Sequence, residues 1–340
     1  MKKLLSTILL FITCLFGERE FDKVASTSAQ FLKMGVGARS MGMGGSFVGL
    51  ANDASALFWN PAGMTYSTGV QSLFSHNDWA LDISHDFVGA IIPLNNKGRL
   101  GFSFSALTMG EKEITTVSEP DGTGLFYSVM DISMGASYAQ AISDRLSYGL
   151  TFKYIRTSAH NESASTVAFD IGSILRTAFH NLKIGMALSN FGGELQYRGR
   201  DLIEKSDIDD DLLGNQLTDV NLRTETWPIP LMIRIGVSVD LLGMNDAFIE
   251  SHFSRVTLVI DAEHPNDSKE HLNIGCEYSF KDFVFLRGGY RMNYYENVFT
   301  FGTGIQTHLM GIGQTSINYS ILPFGPFGNT NQLSIELQLK

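Results

Sequence analysis

The chain has 340 residues, of which 44% are hydrophobic and only 18% charged, with a formal net charge of -10. The charged fraction lies below the roughly 25% of an average soluble domain, and the acidic balance argues against nucleic acid as a partner. A helical membrane protein would show runs of about 18 or more apolar residues, and the one comparable stretch here is the extreme N-terminus. Glycine (34) and phenylalanine (24) are both plentiful, a mixture that suits a lipid-facing sheet.

Residues 1–17 read as a signal peptide: Lys2 and Lys3 precede an apolar run from Leu4 to Phe16, followed by Gly17, Glu18 and Arg19. Cleavage is placed after Gly17, although Leu15 occupies a position where a small residue is preferred. Cys14 raises a lipoprotein alternative, which the approach Phe11-Ile12-Thr13 and the apolar continuation Leu15-Phe16 disfavour. Loss of the leader removes two lysines and moves the charge to about -12. Cys276 is then the single cysteine, so no intramolecular disulfide forms even in an oxidising periplasm.

Residues 18–66 are a different text, glycine-dense from Lys33 and then helical. Asp53 is placed to N-cap a short helix from Ala54 to Trp59, which stops near Asn60 because Pro61 disfavours a helical residue before it. Glycine-rich backbone at membrane depth is tolerated only where protein or water surrounds it. The segment is therefore expected to be a hatch, a plug inside a barrel, with Gly44 and Gly45 allowing close backbone approach. Asn52, Asp53 and Asn60 then need partners among inward-facing residues such as Arg234 and Glu277. Whether Met41, Met43, Phe47 and Phe58 line an apolar ligand pocket stays open.

From residue 67 to 340 the dominant signal is period-two alternation over segments of about ten residues, the length of a tilted membrane strand. In the clearest case Leu146, Tyr148, Leu150, Phe152 and Tyr154 share one face, and Ser147, Gly149, Thr151 and Lys153 the other. The pattern recurs at Leu100 to Phe104, Ile132 to Tyr138, Leu182 to Leu188, Leu231 to Val239, Leu272 to Phe280 and Leu333 to Leu339. It places Arg234 and Asp240 toward the lumen, and Glu277 and Glu336 on polar faces. Weaker segments near residues 70, 87, 170, 258, 286, 301 and 318 bring the total to about fourteen, an even number as a bacterial barrel requires. The fold class is thus all-β: a transmembrane antiparallel β-barrel with an N-terminal hatch in its lumen, set in outer-membrane lipid.

Short polar turns at Asn95 to Gly98, Ser143-Asp144 and Lys281-Asp282 are assigned to the periplasmic side. Longer polar connections, Glu111 to Val129, Thr157 to Thr166 and Asn190 to Pro230, are assigned to the outside. The longest carries Asp207, Asp209, Asp210 and Asp211; it lacks the glycine-punctuated spacing of a calcium loop, and a solvated acidic loop is the better reading. Tyrosines 127, 138, 148, 154, 278, 290, 294, 295 and 319 lie in or beside strands, where they suit interfacial girdles better than a sugar site.

Chemistry is sparse. There is no Gly-x-Ser-x-Gly elbow, and Gly35-Val-Gly37 continues as Ala38-Arg39-Ser40, which completes no dinucleotide fingerprint. His76 and His85 flank a hairpin, His264 precedes Pro265, and a His–Ser pair can form across strands. The histidines lack ligand-pair spacing and Cys276 has no partner for a metal. No enzyme, metal or cofactor is expected.

Four stretches carry a resemblance. Gly42-Met-Gly-Gly-Ser-Phe-Val-Gly-Leu-Ala-Asn-Asp-Ala-Ser-Ala-Leu-Phe-Trp-Asn-Pro-Ala-Gly63 resembles the N-terminal signature of the PorV/PorQ outer-membrane proteins, themselves similar to FadL-type long-chain fatty-acid transporters. Asp261 to Pro265, Leu286 to Arg291 and Pro323 to Ser334 in the C-terminal half also resemble segments of that family. The resemblance implies a bacterial outer-membrane barrel whose hatch motif comprises Gly42, Gly44, Gly45, Asp53, Asn60, Pro61, Ala62 and Gly63. PorV-like members serve type IX secretion, binding exported cargo and the translocon. FadL-like members pass hydrophobic molecules across the membrane, and the chain's own function divides between these two. Its end, Leu337-Gln-Leu-Lys340, departs from the terminal aromatic typical of such barrels.

Overall fold

A computed structural model describes residues 24–94, 98–207, 217–244, 246–294, 297–309 and 313–339. The signal peptide assigned to residues 1–17 lies outside these, as do Asn95 to Lys97, Asp209 to Asp211, Tyr295 and Lys340.

Fourteen long strands form one closed antiparallel sheet. They are β1 (Val70–Asp78), β2 (Ile83–Pro93), β3 (Gly98–Met109), β4 (Val129–Ala141), β5 (Leu146–Ala159), β6 (Glu162–Arg176) and β7 (Lys183–Gly192), then β8 (Met232–Gly243), β9 (Ser254–Pro265), β10 (His271–Phe280), β11 (Val284–Met292), β12 (Val298–Leu309), β13 (Gly313–Pro323) and β14 (Asn329–Leu339). Each pairs with its neighbours in sequence, and β14 returns to β1, Val70 opposite Leu339 and Asp78 opposite Asn331. Closure leaves no unpaired edge to attract another chain. Every alternating segment read from the sequence falls on one of these strands.

The polarity is the reverse of a soluble protein's. Phe299 and Phe301 on the outer face are each 62% exposed, whereas Glu277 on the inner face is 2% exposed. Through the middle of β5 the exposed Tyr148, Leu150, Phe152 and Tyr154 alternate with the buried Ser147, Gly149, Thr151 and Lys153. An apolar outer band of this kind is stable where lipid covers it. Tyr138, Tyr148 and Tyr278 face outward near one end of the barrel and Tyr154 and Tyr290 near the other, two levels suited to the membrane interfaces. Tyr294 departs from this: its ring stacks on His271 at 3.9 Å and its hydroxyl donates to the luminal Glu263 at 3.3 Å.

The connections alternate between two mouths. Those after β4 and β10 lie at the same mouth as the start of β1 and the end of β14, while the connections of residues 110–128 and 193–231 lie at the other. The expected Thr157 to Thr166 loop is mostly strand. β5 and β6 stay paired from Thr157 opposite Ala164 to Ala159 opposite Glu162, leaving a turn of His160 and Asn161, with His160 at φ 53°. A ribbon standing above the lipid is as polar as a loop, so composition did not separate the two. The other long connections also hold local pairing: Lys112–Glu113 with Phe126–Tyr127, and Ile203–Ser206 with Thr218–Asn221.

Candidate functional site

Residues 24–66 thread the inside of the ring of strands from the long-loop mouth to the short-turn mouth. At the long-loop mouth, Ser28 N donates to Pro228 O at 2.9 Å, and a 3-10 turn (Gln30–Lys33) is tied to the β9–β10 turn. There Lys33 Nζ lies 2.9 Å from Asp267 Oδ2, and Gln30 Nε2 donates to the same oxygen at 2.8 Å. At the other mouth Thr65 Oγ1 donates to Ser147 Oγ at 2.9 Å, and Arg99 Nε donates to Ser67 O at 3.0 Å.

Between these ties the chain makes two short helices, α1 (Ala38–Gly42) and α2 (Ala56–Trp59), and a 3-10 turn (Pro61–Tyr66). The second helix starts two residues later than expected, because Asp53 acts one step earlier. Its Oδ1 accepts from Ser55 N at 2.9 Å and from Ser55 Oγ at 2.6 Å, a side-chain turn that precedes the helix. The helix does stop at Asn60, whose backbone is extended (φ -162°, ψ 104°) ahead of Pro61. Pro61 then opens the 3-10 turn, where its fixed φ is already suitable and its missing N–H is no loss. Asn60 caps that turn by accepting from Ala62 N at 3.2 Å.

The segment fits because backbone meets backbone. A Cβ on Gly42 would lie 2.8 Å from Gly302 Cα, and one on Gly275 would lie 2.6 Å from Met43 O. Glycine abundance thus serves the crowded lumen as well as the lipid-facing sheet. Gly44 and Gly45 have φ of +73° and +82°, so their role is left-handed backbone first and close approach second. Gly63 packs on Ala51, whose Cβ would lie 2.9 Å from an added one. Around this frame Met43, Phe47, Leu57 and Met64 are essentially fully buried, and Trp59 donates its indole N–H to Val36 O at 2.8 Å. Met41 and Phe47 therefore pack in a closed cluster instead of lining an apolar pocket, and Phe58 rests at its edge.

The expected polar partners are rearranged. Asn52 and Asp53 do not reach Arg234 or Glu277; both accept from Arg39 of their own segment, at 2.8 and 2.9 Å. Arg39 in turn makes a two-pronged bond to Glu277, Nε and Nη2 each at 2.8 Å, the geometry that suits a guanidinium and a carboxylate. Arg287 donates to Glu277 at 2.7 Å and to Asn318 at 2.9 Å. Asn60 is held by backbone, donating to Val48 O and Ser173 O, each at 3.1 Å. Arg234 pairs with Glu263 at 3.1 Å and meets the segment through the ring of Trp59, 5.4 Å away.

Two anchors were missed by sequence reasoning. Arg39 was passed over as part of a failed dinucleotide motif, and Asp261 lay in a quoted stretch without an assigned role. Asp261 is fully buried, and its Oδ2 accepts from Phe47 N at 2.6 Å and Val48 N at 2.7 Å, two amides that have no strand to pair with. Of the histidines, His85 has its Nε2 2.7 Å from Ser105 Oγ across β2 and β3.

The Asp267 tie is sensitive to acid. Burial raises the Asp267 carboxyl, but hydrogen bonds from Gln30, Thr27 and Lys33 together with the Lys33 charge outweigh it and hold the group below its ordinary value. A depressed folded-state pKa contributes stability that is present above the unfolded value of about 3.9 and is lost as pH falls through the folded one. Acidification below about pH 4 is expected to loosen residues 24–34 while the barrel stays closed. Amide hydrogen exchange in that stretch, followed from pH 7 to pH 3 and corrected for the intrinsic pH dependence of exchange, checks this. Asp267→Asn should show the acid-type loss of protection already at pH 7.

Several cavities border this frame. One of about 400 Å³ opens at the short-turn mouth between the luminal segment and strands β11 to β14 and β1, and is lined chiefly by polar chains. Another of about 400 Å³ lies in the long-loop region, among residues such as Tyr197, Arg198, Leu222 and Arg223.

A closed fourteen-stranded antiparallel barrel with an apolar outer face and a polar inner wall defines an outer-membrane β-barrel. Solved structures share the fold. The toluene transporter TbuX of Ralstonia pickettii superposes with a TM-score of 0.57 at 12% identity, over 90% of this chain and 99% of that one. The Pseudomonas putida toluene transporter TodX gives 0.56 at 11%, over 95% and 97%, and the CymD monoaromatic hydrocarbon channel 0.56 at 11%, over 89% and 96%. The family model described as type IX secretion system protein PorV matches residues 18–207, and the chain belongs to this family. No curated protein matches in sequence.

Proposed function

We propose that this protein is a non-catalytic accessory of type IX secretion in the bacterial outer membrane, that it binds exported cargo and a translocon subunit, and that residues 18–66 act as its hatch. The PorV-family match over residues 18–207 carries this reading. A second observation supports it: the residues best suited to grip a hydrophobic passenger, Met43, Phe47 and Leu57, are already packed against one another. Work on proteins is then done by surfaces outside the lumen.

The alternative is a FadL-like passage for long-chain fatty acids or other hydrophobic molecules, favoured by structural neighbours that are a toluene transporter and a monoaromatic hydrocarbon channel. Such a ligand needs an apolar pocket with a few polar anchors. Deletion of the gene in its source organism tests the first reading. Cargo bearing type IX signal domains should stay inside the cell, and normal secretion in a strain without a paralogue would overturn it. Native mass spectrometry after gentle extraction separates the two readings: a large translocon subunit supports secretion, and a recurring fatty acid supports transport.

A further inference from the structure

The outer face of the barrel changes character at one place on the long-loop rim. In β5 the exposed series Tyr148, Leu150, Phe152 and Tyr154 is continued by Arg156, which is also exposed. On the next strand Ser165 stands opposite Arg156, and Ser163 opposite Ser158. The short strand Arg198–Gly199 then pairs with β6 and sets Arg198 opposite Ser163. Directly opposed residues project to the same face of a sheet, so Arg156, Ser163, Ser165 and Arg198 share the outer surface. The two arginines are separated by two strand spacings, about 10 Å, a gap that two long guanidinium arms close around one oxyanion.

Both guanidiniums are available to a ligand. Among the described residues neither is paired with a carboxylate, and Arg198 donates to the neutral Gln196 Oε1 at 3.2 Å. Glu162, opposite Gly199, falls on the inner side of the alternation, and its Oε1 accepts from Asp201 N at 2.9 Å. By contrast Arg39, Arg234, Arg255 and Arg287 each have a carboxylate partner. Next along the strands, toward the membrane, the surface is apolar. Phe152 stands opposite Phe169 and Phe169 opposite Phe191, an exposed row of aromatic rings across β5, β6 and β7. Tyr154 and Val167 lie between that row and the arginines. A ligand matched to this sector carries an anion at one end and long apolar chains at the other. The long-loop ends of β1 and β2 differ, for there His76 lies 2.7 Å from Asp86 and 3.0 Å from Asp78 on the outer face, and an anion would meet two carboxylates.

We propose that this sector binds a phosphorylated lipid of the outer leaflet, its phosphate between Arg156 and Arg198 and its acyl chains along Phe152, Phe169 and Phe191. A guanidinium meets phosphate oxygens with paired, charge-assisted N–H donors, and Ser163 and Ser165 add hydroxyl donors between them. The lengths of its connections put the long-loop mouth outside the cell, which makes the leaflet the outer one. An acidic peptide would satisfy the arginines and make no use of the aromatic row.

Native mass spectrometry of the full-length protein, delipidated in a non-ionic polyether detergent, tests this. The probes are bisphosphorylated lipid A, the same lipid with its phosphates removed, inorganic phosphate and triglutamate. Bisphosphorylated lipid A should form a discrete complex, and Arg156→Gln and Arg198→Gln should each lower its affinity about tenfold, the loss of one charge-assisted contact. Arg145→Gln, in the β4–β5 turn at the other mouth, should leave it unchanged. The dephosphorylated lipid should bind about tenfold more weakly or worse, and inorganic phosphate and triglutamate should form no complex. Retained heat-modifiable migration on gels shows that each variant is folded, and two separate substitutions guard against loss of one. The proposal is overturned if lipid A forms no complex with the intact protein, if the dephosphorylated lipid binds equally well, or if both folded variants retain full binding. Inorganic phosphate or triglutamate bound as tightly as lipid A overturns it too.

Discussion

Deleting residues 34–64 while keeping residues 1–33 is expected to turn a protein that conducts little into an open pore in planar lipid bilayers. The reason is width. About eight strands make a barrel that side chains alone can fill, and larger barrels leave a channel unless something occupies it. Here the occupant is the luminal segment, with Met43, Phe47, Leu57 and Met64 buried inside the ring. The barrel should survive the loss, because the wall exposed by deletion carries Glu277, Arg287, Asp261 and Asn318, which water can solvate. Stepwise single-channel conductance of the folded deletion variant, compared with the intact chain, is the measurement. A folded variant that conducts no more than the intact protein would show that the segment is not a hatch.

Glu277→Leu should have the largest effect of any single substitution, of order 3–5 kcal/mol, as when one partner of a buried ion pair is removed. Glu277 is the common acceptor for Arg39 of the segment and Arg287 of β11, and it is 2% exposed. Leucine leaves Arg287 with Asn318 and Arg39 with Asn52 and Asp53, so two guanidiniums lose their shared anion inside a low-dielectric lumen. Trp59 reports the outcome, since its indole is buried and bonded to Val36 O within the segment. Urea should then release the segment at a lower concentration than it unfolds the strands, with Trp59 emission shifting first. Arg39→Met should cost less, because Glu277 keeps Arg287. If the two substitutions lower stability equally, the shared-anion arrangement is wrong.

The glycine-rich luminal segment illustrates how a sequence pattern and its physical cause differ. Gly44 and Gly45 were expected to permit close approach, and their positive φ is the stronger demand. Pro61 was expected to end a helix; it also begins the next turn. The helix start slipped by two residues because an Asp side chain can bond the second amide after it in a turn as readily as at a helix cap. Each residue was legible as special, and its partner was not. Period-two patterning says which way a side chain points but not which of the inward residues on fourteen strands it meets.

The sequence by itself determined the class of the protein. Alternation over ten-residue segments, with few charges and no apolar helix, admits a lipid-facing closed sheet, because every backbone polar group in a bilayer must be paired within the protein. It also marked residues 18–66 as a separate text, since nothing there alternates. Only the tertiary structure decided what holds that text in place. Arg39 and Glu277 are 238 residues apart, and Phe47 lies 214 residues from the Asp261 that accepts its amide. Such pairs are set by strand register and barrel closure, which place side chains from distant strands at one level of the lumen and have no local signature along the chain.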